Sequence, residues 1–176
     1  MKSMNAYPNI APMISTRTFS GGHIDGLGKE TLEWLVNDVK PYIDSHYRTY
    51  PFRQATGIAG SSMGGLMAIY ALAKYNHIFS KAVCLSSAIL GDLEADVLAA
   101  HIDADTRLYL SWGSQEAGPS QGDPWQSRAA KANLAIEAAF QKQGATTYIY
   151  CQEDGRHQET DWEKQVPIFM DFLWLQ

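Results

Sequence analysis

The feature that most constrains this chain is an alternation. Four short apolar runs, Gln54–Ala59, Lys81–Leu85, Arg107–Trp112 and Thr146–Cys151, are each separated from the next by a longer stretch with helical spacing. Three of the runs are rich in β-branched or aromatic residues, and none is long enough for a stable helix. Strands that alternate with helices cannot join by tight hairpins. They require crossover connections, which are right-handed and place helices on both faces of a mostly parallel sheet. The predicted class is therefore α/β, in one domain spanning residues 1–176, a length that suits a single domain.

The intervening segments carry their own signals. Gly64–Lys74 is dense in Leu, Met and Ala. Further on, Ala129, Ala132, Ile136, Ala139 and Phe140 form one stripe at three- and four-residue spacing. Asp123, Pro124 and Gln126 fit an N-cap, a first-turn proline and a capping-box partner for that helix, and Gly144 fits its C-terminal stop. In the last segment Thr160 and Glu163 fit another capping box. Trp162, Val166, Phe169, Met170 and Leu173 share a face there, with an interruption at Pro167. Upstream, Leu32, Leu35, Val36, Val39 and Ile43 define an amphipathic helix that Pro41 bends. Met13–Phe19 reads as a fifth strand before a loop marked by Gly21, Gly22, Gly26 and Gly28.

Composition removes several function classes. Lys plus Arg number 14 against 19 for Asp plus Glu, and no basic block stands out, so no nucleic-acid surface is expected. The longest apolar run, Leu66–Ala73, is far short of the ~20 residues of a membrane span, and residues 1–20 lack the pattern of a secretory signal. Two cysteines, Cys84 and Cys151, are too few for a disulfide framework and read as buried thiols. A cytoplasmic globular protein without membrane contact is the expectation. His23 and Asp25 form an isolated H-x-D with no partner cluster, so neither a metal nor another cofactor is expected.

One string carries chemistry. Gly60-Ser61-Ser62-Met63-Gly64-Gly65 follows a predicted strand and precedes a predicted helix, the context of a G-x-S-x-G nucleophile elbow. The spacing places Ser62 on a cramped turn, with Gly60 and Gly64 expected to be glycine because a side chain would clash. The backbone N–H of Met63 then lies at a helix N-terminus, where it can donate to a developing oxyanion. A serine hydroxyl needs a base and an orienting acid, which follow it in the order Ser, acid, His. Of the five histidines, His157 is the candidate base, because it follows the last strand and lies in the loop before the final helix. His77 falls at the far end of the elbow's own helix and His101 in a polar link; these two, with His23 and His46, read as surface residues. Glu116 and Asp123 both follow the third run. Asp123 already has a capping role, so Glu116 is preferred, and Asp154 and Glu159 beside His157 are alternatives.

With these residues in place, the chain resembles the putative esterase family of α/β-hydrolases from about Leu27 to its C-terminus. The resemblance rests on four stretches in order: Asp38–Asp44 before Tyr47-Arg48, Ile58–Gly65, Tyr109–Glu116, and His157–Trp162 running into Phe172-Leu173-Trp174. It implies a serine hydrolase acting on small-molecule carboxylic esters through an acyl-enzyme, with Ser62 as nucleophile, Glu116 as acid, His157 as base and Met63 N–H as one oxyanion donor. It also implies a short form, the C-terminal two-thirds of the family domain, without the earlier strands and the loop that holds the second oxyanion donor. An exposed sheet edge would follow, and with it pairing into a homo-oligomer. The competing expectation is a weak or inactive module that serves binding or assembly.

Overall fold

The computed structural model describes residues 16–17, 23–24, 27–89, 93–116 and 122–175. By its internal contacts the chain divides into two compact units, Met1–Thr49 and Tyr50–Gln176.

In the first unit, β1 (Thr16–Arg17) pairs antiparallel with β2 (His23–Ile24). β1 falls inside the expected strand Met13–Phe19, whose other residues lie outside the described ones, as does Asp25. Helix α1 (Gly28–Trp34) runs into a π-helical turn, Leu35–Val39, and then α2 (Lys40–His46). Pro41, in the first turn of α2, has no N–H to offer the carbonyl four residues back, and the widened turn immediately precedes it. Leu32 and Val36 are buried, Leu35 and Val39 half-buried, and Ile43 is exposed, so the expected apolar stripe fades beyond the proline.

The second unit holds a four-stranded sheet. Strands β3 (Gly57–Ser61), β4 (Lys81–Leu85), β5 (Arg107–Gly113) and β6 (Thr146–Gln152) lie in the order β3-β4-β5-β6, and every pairing is parallel. Three strands match the sequence reading to within a residue. The first begins later than expected, because Arg53–Ala55 is a 3₁₀ turn. Its cause lies far along the chain: the Arg53 guanidinium bonds the Asn76 carbonyl, Asp105 and Thr106 Oγ1, and its 2.9 Å bond to Asn76 Oδ1 completes the clamp.

Helices α3 (Met63–Lys74), α4 (Leu93–Ala99) and α5 (Arg128–Gln141) pack in series, α3 also against β3 and β4, and α5 against β5 and β6. Gly65 through Ala73 of α3 are all buried, which is why that segment is apolar on every side. On α5 the buried positions are Ala130, Asn133, Ile136, Ala139 and Phe140, with Ala129 and Ala132 at the margin. A buried Asn133 hid the true stripe; its Nδ2 donates to the Ala129 carbonyl at 2.9 Å. Asp123 does cap a helical turn, accepting from Trp125 N–H, but that turn is the separate 3₁₀ segment Pro124–Gln126. The cap of α5 is Ser127, which accepts from Ala130 N–H at 3.0 Å.

The C-terminal segment covers the opposite face, where Val83 and Tyr109 pack with Phe172 and Leu173. Its backbone changes pitch repeatedly: α6 (Glu159–Trp162), a 3₁₀ turn Glu163–Gln165, α7 (Val166–Met170) with Pro167 in its first turn, and a π-helical turn Asp171–Leu175. No single helical period survives these changes. Val166 and Met170 are therefore exposed, whereas Gln165 and Phe172 are buried. Gln165 is buried because it is paired: its Oε1 accepts from Tyr109 Oη at 3.0 Å and its Nε2 donates to Gln152 Oε1 at 2.7 Å. Thr160 is not a cap either, since Gln158 holds that position. Cys84 is fully buried, Cys151 only half so, and both are free thiols. Among the described residues no helix is long and apolar enough to cross a membrane.

Candidate active site

Because all four strands of the sheet are parallel, their carboxyl ends share one edge, and Ser62, Glu116 and His157 each follow a strand end there. Ser62 stands between β3 and α3 with φ 53° and ψ −117°, a conformation that costs an L-residue energy. Two main-chain bonds hold it there: Ser62 N–H donates to the Leu85 carbonyl at 2.8 Å, and Ala88 N–H to the Ser62 carbonyl at 3.0 Å. Helical bonding begins with Leu66 N–H on the Ser62 carbonyl, so the N–H of Met63 precedes the first intrahelical bond.

The glycines of the elbow divide the work differently from the sequence expectation. A Cβ on Gly60 would lie 2.2 Å from the Gly64 carbonyl carbon, so that glycine is obligatory. A Cβ on Gly64 meets nothing within 4 Å; instead the neighbouring Gly65 would strike Ser87 Oγ at 2.2 Å. The clash falls on Gly64's backbone, not on a side chain there. Gly60→Ala is therefore expected to lose at least about 3 kcal/mol of stability, and Gly64→Ala to stay within about 1 kcal/mol of the parent. Urea unfolding of the two variants checks the contrast, and equal midpoints would contradict it.

At the end of β5 the turn Gly113–Glu116 folds back on itself. Gly113 N–H donates to Glu116 Oε1 at 2.6 Å, and Ser86 Oγ donates to the same oxygen at 2.5 Å. Its other oxygen, Oε2, lies 3.6 Å from Nδ1 of His157. That separation exceeds a hydrogen bond. The carboxylate is mostly buried, with 14 % of its side chain exposed, while the imidazole is 44 % exposed and so reachable from solvent.

The loops carrying these two residues are joined main chain to main chain. Ser114 N–H donates to the Gln152 carbonyl at 2.9 Å and Gln115 N–H to the Gly155 carbonyl at 2.8 Å. A Cβ at Gly113 would sit 2.2 Å from the Gly155 oxygen, so this approach requires a glycine. Beyond His157, Asp161 is buried and accepts from Lys164 Nζ, the Arg156 N–H and Gln158 Nε2. The Lys164 ammonium first, then the Arg156 and Gln158 donors, pull its pKa down to about 2. A carboxyl held below its unfolded value of ~3.9 contributes stability that is complete above that value and vanishes as pH falls toward 2. Asp161→Asn is thus expected to flatten the acid-unfolding profile between about pH 4 and pH 2, as followed by far-UV circular dichroism.

The remaining candidates are occupied elsewhere. Nδ1 of His46 lies 2.8 Å from the Tyr42 carbonyl, and its ring stacks on Tyr42. His101 is 3.2 Å from Asp103, and His77 lies beside Tyr75. Asp154 has φ 54° and its N–H bonds Ser114 Oγ, a turn role. Glu159 borders an apolar groove of about 300 Å³ beside the elbow, which Gly60, Ser61, Leu85, Trp162 and Phe169 also line. Two residues at this edge have roles that the sequence does not signal: Ser86, which ends a strand without an elbow and stands at φ 47°, and Trp162, whose Nε1–H donates to Ser86 Oγ at 2.8 Å. A serine at a strand end and a tryptophan on a helix face are too ordinary to signal a site.

The chain belongs to the putative esterase family, whose sequence model matches residues 19–170. Among curated proteins it is similar to the uncharacterized protein YbbA of Bacillus subtilis, 25% identical over 130 residues, which are 72% of this chain and 50% of that one. Among solved structures it is similar to an IroE-like serine hydrolase from Shewanella oneidensis, with TM-score 0.67 and 22% identity, covering 94% of this chain and 57% of that one. The enterobactin esterase FES from Shigella flexneri superposes with TM-score 0.66 at 20% identity, over 84% of this chain and 38% of that one. The S-formylglutathione hydrolase FrmB from Staphylococcus aureus does so with TM-score 0.63 at 17% identity, over 83% and 61%. These likenesses establish the α/β-hydrolase-like fold, and the chain spans about half the length of the curated relative it matches.

Proposed function

We propose that this chain is a serine hydrolase of small-molecule carboxylic esters that works through an acyl-enzyme on Ser62. The observation that carries the reading is the pairing of His157 Nδ1 with a Glu116 carboxylate whose other oxygen is already taken by two donors. It lies at the same sheet edge as a serine held at positive φ. With Nδ1 directed at the carboxylate, the imidazole offers Nε2 as the acceptor for the Ser62 proton.

In this mechanism Ser62 Oγ attacks the acyl carbon as its proton passes to His157. Negative charge collects on the carbonyl oxygen, and the Met63 N–H, aided by the N-terminal end of α3, stabilises it. The imidazolium returns the proton to the leaving alcohol. Water repeats the sequence in reverse and frees the acid. Glu116 keeps the imidazole in the tautomer that has its proton on Nδ1. The apolar groove beside Ser61 is of a size to hold the hydrophobic portion of an ester.

A fluorophosphonate probe tests this directly. Covalent labelling is expected on the peptide containing Ser62, located by mass spectrometry after digestion. An unlabelled parent protein, or a label mapped elsewhere, would overturn the reading.

A further inference from the structure

We propose that Ser86 and Trp162 are positioning residues that orient the acid Glu116, an inference that rests on the hydrolase reading above. Four side chains close a ring at the sheet edge. Trp162 Nε1–H donates to Ser86 Oγ at 2.8 Å, Ser86 Oγ donates to Glu116 Oε1 at 2.5 Å, and Glu116 Oε2 faces His157 Nδ1. The His157 ring then meets the Trp162 ring edge to face, with centroids 5.1 Å apart and planes at 85°. Ser86 and Trp162 are both buried, so water does not substitute for either partner.

Proton inventory fixes the direction of this ring. An indole N–H only donates, and a hydroxyl has a single proton. Once Trp162 occupies a lone pair of Ser86, the serine's own proton is committed to the carboxylate. Glu116 Oε1 thereby receives two donors, from Ser86 and Gly113, and is saturated in the ionised form. The oxygen left for the imidazole is Oε2. Trp162 acts twice, since its N–H sets the serine and its ring packs against the base.

The backbone supports this assignment. Ser86 holds φ 47°, a conformation glycine adopts without strain, yet the position carries a hydroxyl. Its N–H is bonded to the Ser111 carbonyl at 2.9 Å, which seats it across from the turn that bears Glu116.

The test uses Ser86→Gly, which relieves the backbone while removing the hydroxyl. Labelling of Ser62 by the fluorophosphonate and turnover of an aryl ester are expected to fall about 10- to 100-fold with no drop in melting temperature. Trp162→Phe, which keeps the ring and loses the N–H, is expected to fall in the same direction. The decisive arm is the double variant. On a Glu116→Ala background Ser86→Gly should change the rate less than about twofold, because a group that acts through another has nothing left to orient. Ser86→Gly within twofold of the parent, or a full multiplicative loss on the Glu116→Ala background, would overturn the positioning role while leaving the hydrolase reading intact. A parent protein that fails to label at Ser62 would overturn the hydrolase reading and this one with it.

Discussion

Exchange of Ser62 for glycine is expected to abolish ester turnover while raising the melting temperature. Ser62 sits at φ 53° and ψ −117°, where an L-residue bears about 1–3 kcal/mol of strain. Glycine removes that strain, and the entropy it adds to the unfolded chain offsets only ~0.5–1 kcal/mol of the gain. A net gain of about 1 kcal/mol corresponds to roughly 2–4 °C in a chain of this size. Ser62→Ala keeps the strain, so its melting temperature should match the parent's. Both variants lose the nucleophile, and with it on the order of 10⁵-fold or more in kcat. Calorimetry beside an aryl-ester assay separates the two effects. A glycine variant that melts lower than the alanine variant would show that the turn is not strained, and retained turnover in either would remove Ser62 from the chemistry.

The second large effect concerns the acid. Glu116→Gln preserves shape, and its amide oxygen can still accept from Ser86 and Gly113. Its NH₂ then occupies the place of Oε2, facing His157 Nδ1. Two donors cannot face each other, so the imidazole must carry its proton on Nε2, the nitrogen that has to accept the serine proton. Trapping the wrong tautomer is worth about 10³–10⁴ in kcat, with little change in stability. Asp123→Ala supplies the contrast. Asp123 accepts from Trp125 N–H as a cap, so its loss is expected to cost about 1 kcal/mol of stability and leave turnover in place. Turnover that survives Glu116→Gln and collapses in Asp123→Ala would exchange the two assignments.

How much of this was legible in the sequence depended on how local the cause was. Lys81–Leu85 was legible because a strand buried on both faces is apolar throughout, as Ala82–Leu85 is after the leading lysine. The elbow was legible because strand, turn and helix are consecutive. By contrast, Gln54 and Ala55 read as the start of a strand, and only the approach of Asn76, Asp105 and Thr106 to Arg53 makes them part of a 3₁₀ turn. The stripe of α5 was misplaced by one position because Asn133 is polar and buried. In the final segment Trp162 and Leu173 are buried as their spacing predicts, but pitch changes on either side of Pro167 expose Val166 and Met170 and bury Gln165 and Phe172 instead.

What the chain alone determined is its alternating parallel architecture and the residue types that can do the chemistry, since hydrophobic period and a strained Gly-Ser turn are properties of neighbours. Only the tertiary structure decided how those residues are oriented. The pairing of Leu85 with Ser111 sets the ends of β4 and β5 side by side, and Ser86 meets Glu116 there. The pairing of Gly113 with Gln152 brings the acid turn against the loop of His157. Register is a relation between distant segments, and no window of sequence contains it.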